Sequence, residues 1–191
     1  MNSEKFKRAV FIDRDGVINK EVEYLVDVSD FELLSQSAKA IRLLNQSDFL
    51  SIVVTNQSAV ARGFCDISDI HAINKNMEIE LDRQGAYLDA IYVCPCHKEG
   101  VNPKYKRDCN DRKPNLGMLE KSRNKFNLDL KQCYIVGDTT TDIMTGKNAG
   151  IPSILVNTGH SGRDKLFNVR PDYTTQDLFS AVTQIILDKE T

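Results

Sequence analysis

The sequence predicts an α/β fold, a parallel sheet covered by helices, in a single domain spanning residues 1–191. Three observations predict it. Apolar runs of strand length recur along the chain, segments with helical spacing of apolar residues separate most of them, and polar residues capable of chemistry follow directly after several of the runs. Alternating strands and helices form parallel sheets, because each crossover lays a helix on a sheet face.

The strands are expected at Ala9 to Ile12, Ser51 to Thr55, Ala90 to Val93, Cys133 to Val136 and Ser153 to Val156. A first helix spans about Ser37 to Gln46, where Ala38, Ile41, Leu43 and Leu44 make an apolar face. Ser68 can cap a second, carrying Ile70, Ile73, Met77 and Leu81 and ended by Gly85. Pro114 opens a third through Met118, Leu119 and Phe126, with Met118 and Phe126 as core positions, and a fourth runs from Thr140 to Ala149 before Gly150. A last helix near Gln176 to Leu187 closes the chain. Two segments break the alternation: Asn19 to Asp30 after the first strand and Cys94 to Lys113 after the third. Long loops in a compact domain are usually functional or disordered, and both leave from the carboxyl edge of the sheet, where ligands bind in open α/β folds.

Composition narrows the class. A formal charge of −2, from 25 Lys and Arg against 27 Asp and Glu, leaves no basic stripe for nucleic acid. Met1 to Arg8 are polar and charged, without the apolar centre of a signal peptide, and no run reaches membrane-spanning length. The expectation is a cytoplasmic protein, acting as a monomer, with no membrane or nucleic-acid partner. The five cysteines include three, Cys94, Cys96 and Cys109, in one polar loop. In a reducing compartment such a cluster suggests a metal before a disulfide. Cys133, inside an apolar run, reads as a small buried hydrophobe.

Four constellations lie along the predicted carboxyl edge: Asp13-Arg14-Asp15-Gly16, Thr55-Asn56-Gln57-Ser58, Arg112-Lys113-Pro114, and Gly137-Asp138 with Asp142 four positions on. Singly, each has a plain structural explanation as a turn, a helix cap or a solvated charge pair. Together at one edge they make a site. Asp13 and Asp15, on alternate residues of an extended chain, share a face, and two carboxylates that close call for a cation or a shared proton. Asp13, last on its strand, is the candidate nucleophile toward phosphorus. Asp15 is the proton donor to the leaving oxygen and then the base for water. Thr55 and Asn56 can donate to phosphoryl oxygens, and Lys113 supplies a positive charge for the transition state. Asp138 completes a hard, oxygen-only magnesium site with Asp13 and Asp15, the last through a backbone carbonyl. Asp142 either supports the metal shell or Lys113, or only complements the dipole of its helix.

With FIDRDGVIN, VVTNQS, RKPNLGM and IVGDTTTD in this order, the chain resembles the haloacid dehalogenase superfamily of phosphotransferases over nearly its whole length. DRDGVIN, TNQSAVARG, the Cys-Pro-Cys loop and DRKPNLGML are similar to the branch that holds the heptose bisphosphate phosphatases and the histidinol-phosphatase domain. The resemblance implies a Rossmann-like sheet with helices on both faces and a magnesium-dependent aspartyl-phosphate intermediate. It also implies a phosphorylated sugar as substrate, with a heptose 1,7-bisphosphate losing its 7-phosphate as the leading case. Histidinol phosphate is the rival; a nucleic-acid end phosphatase and a non-catalytic binding module are weaker ones. On this resemblance Thr55 and Lys113 stabilise the phosphoryl group, and Arg112 recognises substrate. Arg14, Tyr24, Asn56, Gln57 and Ser58 are the further expected substrate contacts.

No large cap domain is expected, only a short lid loop and the cysteine loop. Family members carry Gly-Tyr-Val in the lid; this chain has Glu23-Tyr24-Leu25. The acidic lid residues Glu21, Glu23 and Asp27 suit an amine, while a bisphosphate wants cations, of which the lid has Lys20, with Arg62 and Lys147 elsewhere. The family's structural zinc implies Cys94, Cys96 and Cys109 as ligands, completed by His97 or Asp111, which stands where a fourth cysteine is expected. The alternative is a loop that has lost its zinc. Thr139 replaces a lysine after Asp138, His71 reads as a surface residue, and His160 can face the site.

Overall fold

The computed structural model of the chain describes residues 6–188, so residues 1–5 of the polar Met1 to Arg8 segment lie outside the described residues. Six parallel strands, β1 (Arg8–Ile12), β2 (Phe49–Asn56), β3 (Ala90–Cys94), β4 (Tyr134–Gly137), β5 (Ser153–Val156) and β6 (Tyr173–Thr175), lie in the order β3-β2-β1-β4-β5-β6. Every pairing is parallel, with Phe11 opposite both Ile52 and Ile135. β1 is thus central, and the order reverses beside it. That is the switch point at which ligands bind in such sheets.

Period-two alternation sorts the strand residues between two cores. Val10, Ile12, Val53, Val136 and Ile154 face one side, where α1 (Ser37–Asn45), α3 (Ile67–Asp82) and α6 (Leu178–Ala181) bury Ile41, Leu44, Ile70, Ile73, Met77, Leu81 and Leu178. Ala9, Phe11, Ile52, Val54 and Ile135 face the other, against Met118 and Leu119 of α4 (Gly117–Phe126). Helices therefore cover both faces, as expected. Cys133 is buried in the second core and accepts a hydrogen bond from the Ala9 amide at 3.3 Å. Phe126 packs at the margin of that core and is only half-buried.

Several boundaries differ from the expectation. α3 starts two residues earlier than a Ser68 cap allows, because Asp66 and Asp69 form a reciprocal capping box, and it ends at Asp82, with Gly85 three residues beyond. Pro114 does not open α4: Arg112 to Asn115 form a turn first, and the helix begins at Gly117. α5 (Thr140–Ala149) ends before Gly150 in the left-handed region, as read. The last helix is α6 followed by a π-helical turn, Val182–Ile186. The short strand β6 and the four-residue α2 (Ala59–Arg62) were not anticipated. Neither carries enough residues for a periodic signal. Among the described residues, no helix is long and apolar enough to cross a membrane.

Candidate active site

A cavity of about 170 Å³ opens at the carboxyl ends of β1, β2 and β4. The sheet contributes Asp13, Asp15, Thr55, Asn56, Gln57, Ser58 and Asp138; the lid contributes Glu21 to Leu25, including Tyr24; the cysteine loop contributes Lys113; and Thr139, Thr141 and His160 complete the wall. Residues more than 100 positions apart meet because parallel strands point the same way, so their carboxyl ends gather at one edge.

The backbone fixes Asp13: its amide donates to Val136 O at 3.0 Å, continuing the β1–β4 ladder. One carboxylate oxygen accepts from the Arg14 amide at 2.7 Å and the other lies 2.8 Å from Lys113 Nζ. Lys113 itself is carried by Asn56, whose side chain accepts from the Lys113 amide at 3.0 Å and donates to its carbonyl at 3.1 Å. Asn56 thus ties the loop to β2, and its amide keeps a second N–H while it lines the cavity. Gln57 is similarly engaged. Its Nε2 lies 2.8 Å from both Asp15 Oδ2 and Thr55 Oγ1. With its oxygen accepting from Gln57, the Thr55 hydroxyl keeps its own proton for a phosphoryl oxygen.

Lys113 Nζ also lies 2.6 Å from Asp142 Oδ1. The other Asp142 oxygen accepts from the Thr139 amide and hydroxyl, closing a capping box at the start of α5. One side chain thus caps its helix and holds Lys113 at the same time.

The electrostatics are those of crowded acids. Burial, followed by Asp142 and Asp15 and opposed by Lys113, pushes Asp13 up to about 7. Burial, then Asp13 and Asp142, pushes Asp138 up to about 9, and burial with Asp15 and Asp13 pushes Glu21 up to about 8. Burial works against charge on Lys113, but Asp13 and Asp142 outweigh it and raise its pKa. Oxygens of Asp13, Asp138 and Asp142 lie within 4.8 Å of one another, as do ligand atoms of Glu21, Asp138 and His160. With Asp142 taken by Lys113 and Thr139, Asp13 and Asp138 remain as a hard oxygen pair. Their mutual repulsion is what a divalent cation relieves, so the donor set fits magnesium. The Asp15 side chain does not join this group, because both its oxygens are occupied by Arg14, Asn19 and Gln57. A backbone carbonyl is what Asp15 has left to offer.

Other expected contacts fall outside the cavity. Arg14 is wholly buried and paired with Asp15, so it cannot touch a ligand. Lys147 is exposed and lines a separate groove with Gly146 and Pro152. Arg112 lies in the wall of a neighbouring cavity of about 180 Å³, with His97, Lys98 and Lys113. Cys94, Cys96 and Cys109 do gather, their sulfurs within 4.8 Å of one another. Neither proposed fourth ligand joins them. His97 accepts from the Glu99 amide at 3.1 Å and faces Arg62 at 3.4 Å, and Asp111 pairs with Lys121.

Residues that the motifs did not mark also shape the site. The His160 amide donates to Asp138 Oδ2 at 2.6 Å, and Gly159, at φ +61°, passes against the same carboxylate. Asn19 and Asn74 act on Asp15, directly and through Arg14. A polar residue on the buried face of α3 was the one available sign of Asn74; nothing linked it to a residue 60 positions earlier.

A carboxylate at the end of the central strand, a second two residues on, and a lysine crossing to both the first carboxylate and a helix-capping acid make a site of the haloacid dehalogenase type. A family model described as HAD-hydrolase-like matches residues 110–181. The D-glycero-D-manno-heptose-1,7-bisphosphate 7-phosphatase of Thermosynechococcus vestitus is 39% identical over 185 residues, covering 93% of this chain and 94% of that one. The D-glycero-alpha-D-manno-heptose-1,7-bisphosphate 7-phosphatase of Photorhabdus laumondii is 38% identical, over 84% of this chain and 87% of that one. The crystal structure of the D,D-heptose 1,7-bisphosphate phosphatase of B. bronchiseptica, complexed with magnesium and phosphate, superposes with a TM-score of 0.83 at 30% identity, covering 97% of this chain and all of that one. The chain belongs to the same family of haloacid dehalogenase-like phosphatases as these relatives.

Proposed function

We propose that this enzyme removes the 7-phosphate of a D-glycero-D-manno-heptose 1,7-bisphosphate through an aspartyl phosphate on Asp13. The observation that carries the chemistry is the meeting of Asp13, Asp15, Thr55, Lys113 and Asp138 in one cavity. The names borne by its relatives support the substrate.

An Asp13 oxygen attacks phosphorus and the bond from phosphorus to the sugar oxygen breaks, Asp15 giving that oxygen its proton. Water then attacks the same phosphorus, Asp15 takes up a proton from the water, and Asp13 leaves as carboxylate. Thr55 donates to a phosphoryl oxygen, while Ser58 lines the wall beside it. Lys113 offsets the charge that spreads over those oxygens. Asp13, Asp138 and the Asp15 carbonyl would hold magnesium, which would offset the repulsion between carboxylate and phosphate. Tyr24 borders the sugar from the lid, and Arg112, with Lys98, gives a distal phosphate a cationic wall in the adjoining cavity.

One observation favours histidinol phosphate as a second reading: Glu21 and Glu23 line the cavity and would meet an amine. Phosphate release with magnesium across heptose bisphosphate anomers, histidinol phosphate and fructose 1,6-bisphosphate separates the two. A heptose preference of at least about tenfold, roughly 1.4 kcal/mol, supports the first reading, and equal slow turnover on every member refutes it.

We assign a structural zinc to Cys94, Cys96 and Cys109, with His97 or Asp111 completing the site by turning from its present partner. It would stiffen the loop that carries Arg112 and Lys113 without touching the phosphate. Metal content below about one-tenth equivalent after chelator-free purification rejects a tight site. Because one chain supplies the whole catalytic cavity, the reading is of a monomer meeting a small substrate in the cytoplasm.

A further inference from the structure

Asp15 must deliver a proton to one oxygen and later accept one from water, so its carboxyl has to be aimed as well as present. Four side-chain donors aim it. Oδ1 accepts from Arg14 Nε at 3.1 Å and Asn19 Nδ2 at 2.9 Å, and Oδ2 from Arg14 Nη2 at 3.0 Å and Gln57 Nε2 at 2.8 Å. Two of the four come from Arg14 in a parallel fork, the geometry that fixes a carboxylate in direction and in plane.

Arg14 needs fixing in turn. Its side chain is wholly buried, and its partner Asp15 is a fifth exposed. Its Nη1 donates at 3.0 Å to Asn74 Oδ1. Asn74 lies on the buried face of α3 between Ile73 and Met77, itself only 6% exposed. It does not itself line the reaction cavity, and Arg14 links it to Asp15. A buried guanidinium held at its far end by a rigid helix cannot swing, so the fork stays in register with Asp15.

We infer that Asn74 is a positioning residue for the proton-transfer steps, acting through Arg14 on Asp15. The inference rests on Asp15 as acid and base, but not on the identity of the sugar. Its consequence is selective. Proton donation matters most for an ester whose leaving oxygen is strongly basic, and little for an aryl ester whose phenolate leaves unaided. The ratio of kcat/KM for a simple alkyl phosphate to that for p-nitrophenyl phosphate therefore reads the aim of Asp15. kcat/KM covers only the steps through transfer to Asp13, so slow hydrolysis of the intermediate does not mask it.

The test compares wild type, Asn74→Ala and Asp15→Asn with magnesium. Asn74→Ala should lower kcat/KM for the alkyl ester about tenfold and for the aryl ester less than about twofold, a part of the ~10²–10⁴-fold that general acid catalysis supplies. Equal losses on both esters, or none on either, overturn the inference. Asp15→Asn should show the same selectivity more strongly; if it does not, the role given to Asp15 fails, and that failure is distinguishable from failure of the Asn74 link. Should Asn74→Ala not fold, the isosteric Asn74→Asp serves. Its carboxylate draws the Arg14 fork away from Asp15, so the same selective loss supports the link and an unchanged ratio overturns it.

Discussion

Lys113 Nζ stands 2.6 Å from Asp142 and, among the described residues, has one other ionic partner, Asp13 at 2.8 Å. One buried ammonium thus joins the first turn of α5 to the Asp13 carboxylate at the end of β1, although the three residues come from three separate segments. Replacing Asp142 with asparagine keeps the size and most of the cap but halves the negative charge around Lys113. Breaking one arm of a buried pair costs about 3 kcal/mol, the lower end of the range because Asp13 remains. The ammonium then settles on Asp13, so kcat/KM should fall at least about tenfold. Thermal unfolding and steady-state kinetics on Asp142→Asn check both, and an unchanged melting temperature would count against the coupling.

Asp13→Asn should retain the fold, since asparagine fills the same volume and can still accept from the Arg14 amide. An amide cannot form the acyl phosphate, so phosphate release should drop by about a thousandfold or more. Activity above about 1% of wild type in this variant would sink the covalent mechanism.

The raised pKa values give the cation-free protein a definite pH dependence. Asp13, Asp138 and Glu21 carry native values of about 7, 9 and 8 against ordinary values of 3.8, 3.8 and 4.5. Between those limits the native state holds more protons than the unfolded chain, so stability falls as pH rises. In EDTA the melting temperature should drop from pH 6 to pH 9. Magnesium should restore more of it at pH 9 than at pH 6, because at the lower pH it competes with protons for the same oxygens. A magnesium increment that is flat across this range would contradict the assignment.

Gly159→Ala should damage the magnesium site more than the fold. A Cβ there overlaps the Asp138 carboxylate, and φ +61° is strained for alanine. The expected result is a magnesium requirement raised at least about tenfold, with a loss of stability of about 1–2 kcal/mol from the left-handed backbone. Titration of activity with magnesium measures the first, and denaturant unfolding the second.

Much of this site was legible in the chain. Asp13, Asp15, Thr55 and Asp138 line one cavity because each stands at or just after a strand end and parallel strands send those ends to one edge, while Lys113 is brought there by its loop, held through Asn56. Arg14, Asn56 and Gln57 stand in the same motifs but turn their side chains to Asp15, Lys113 and Thr55. A motif shows which residues are near the chemistry; whether a side chain faces substrate or its neighbours depends on hydrogen bonds with partners elsewhere in the chain.

The sequence by itself determined the parallel α/β architecture and the edge that holds the carboxylates, since these follow from local periodicity and the alternation of strands with helices along the chain. Tertiary structure alone decided which polar groups are used up in positioning. Asn74 reaches Asp15 through Arg14 across 60 positions, and His97 and Asp111 turn away from the three thiols toward Arg62 and Lys121. Buried polar groups must find partners, and the nearest one in space is rarely the nearest one in sequence.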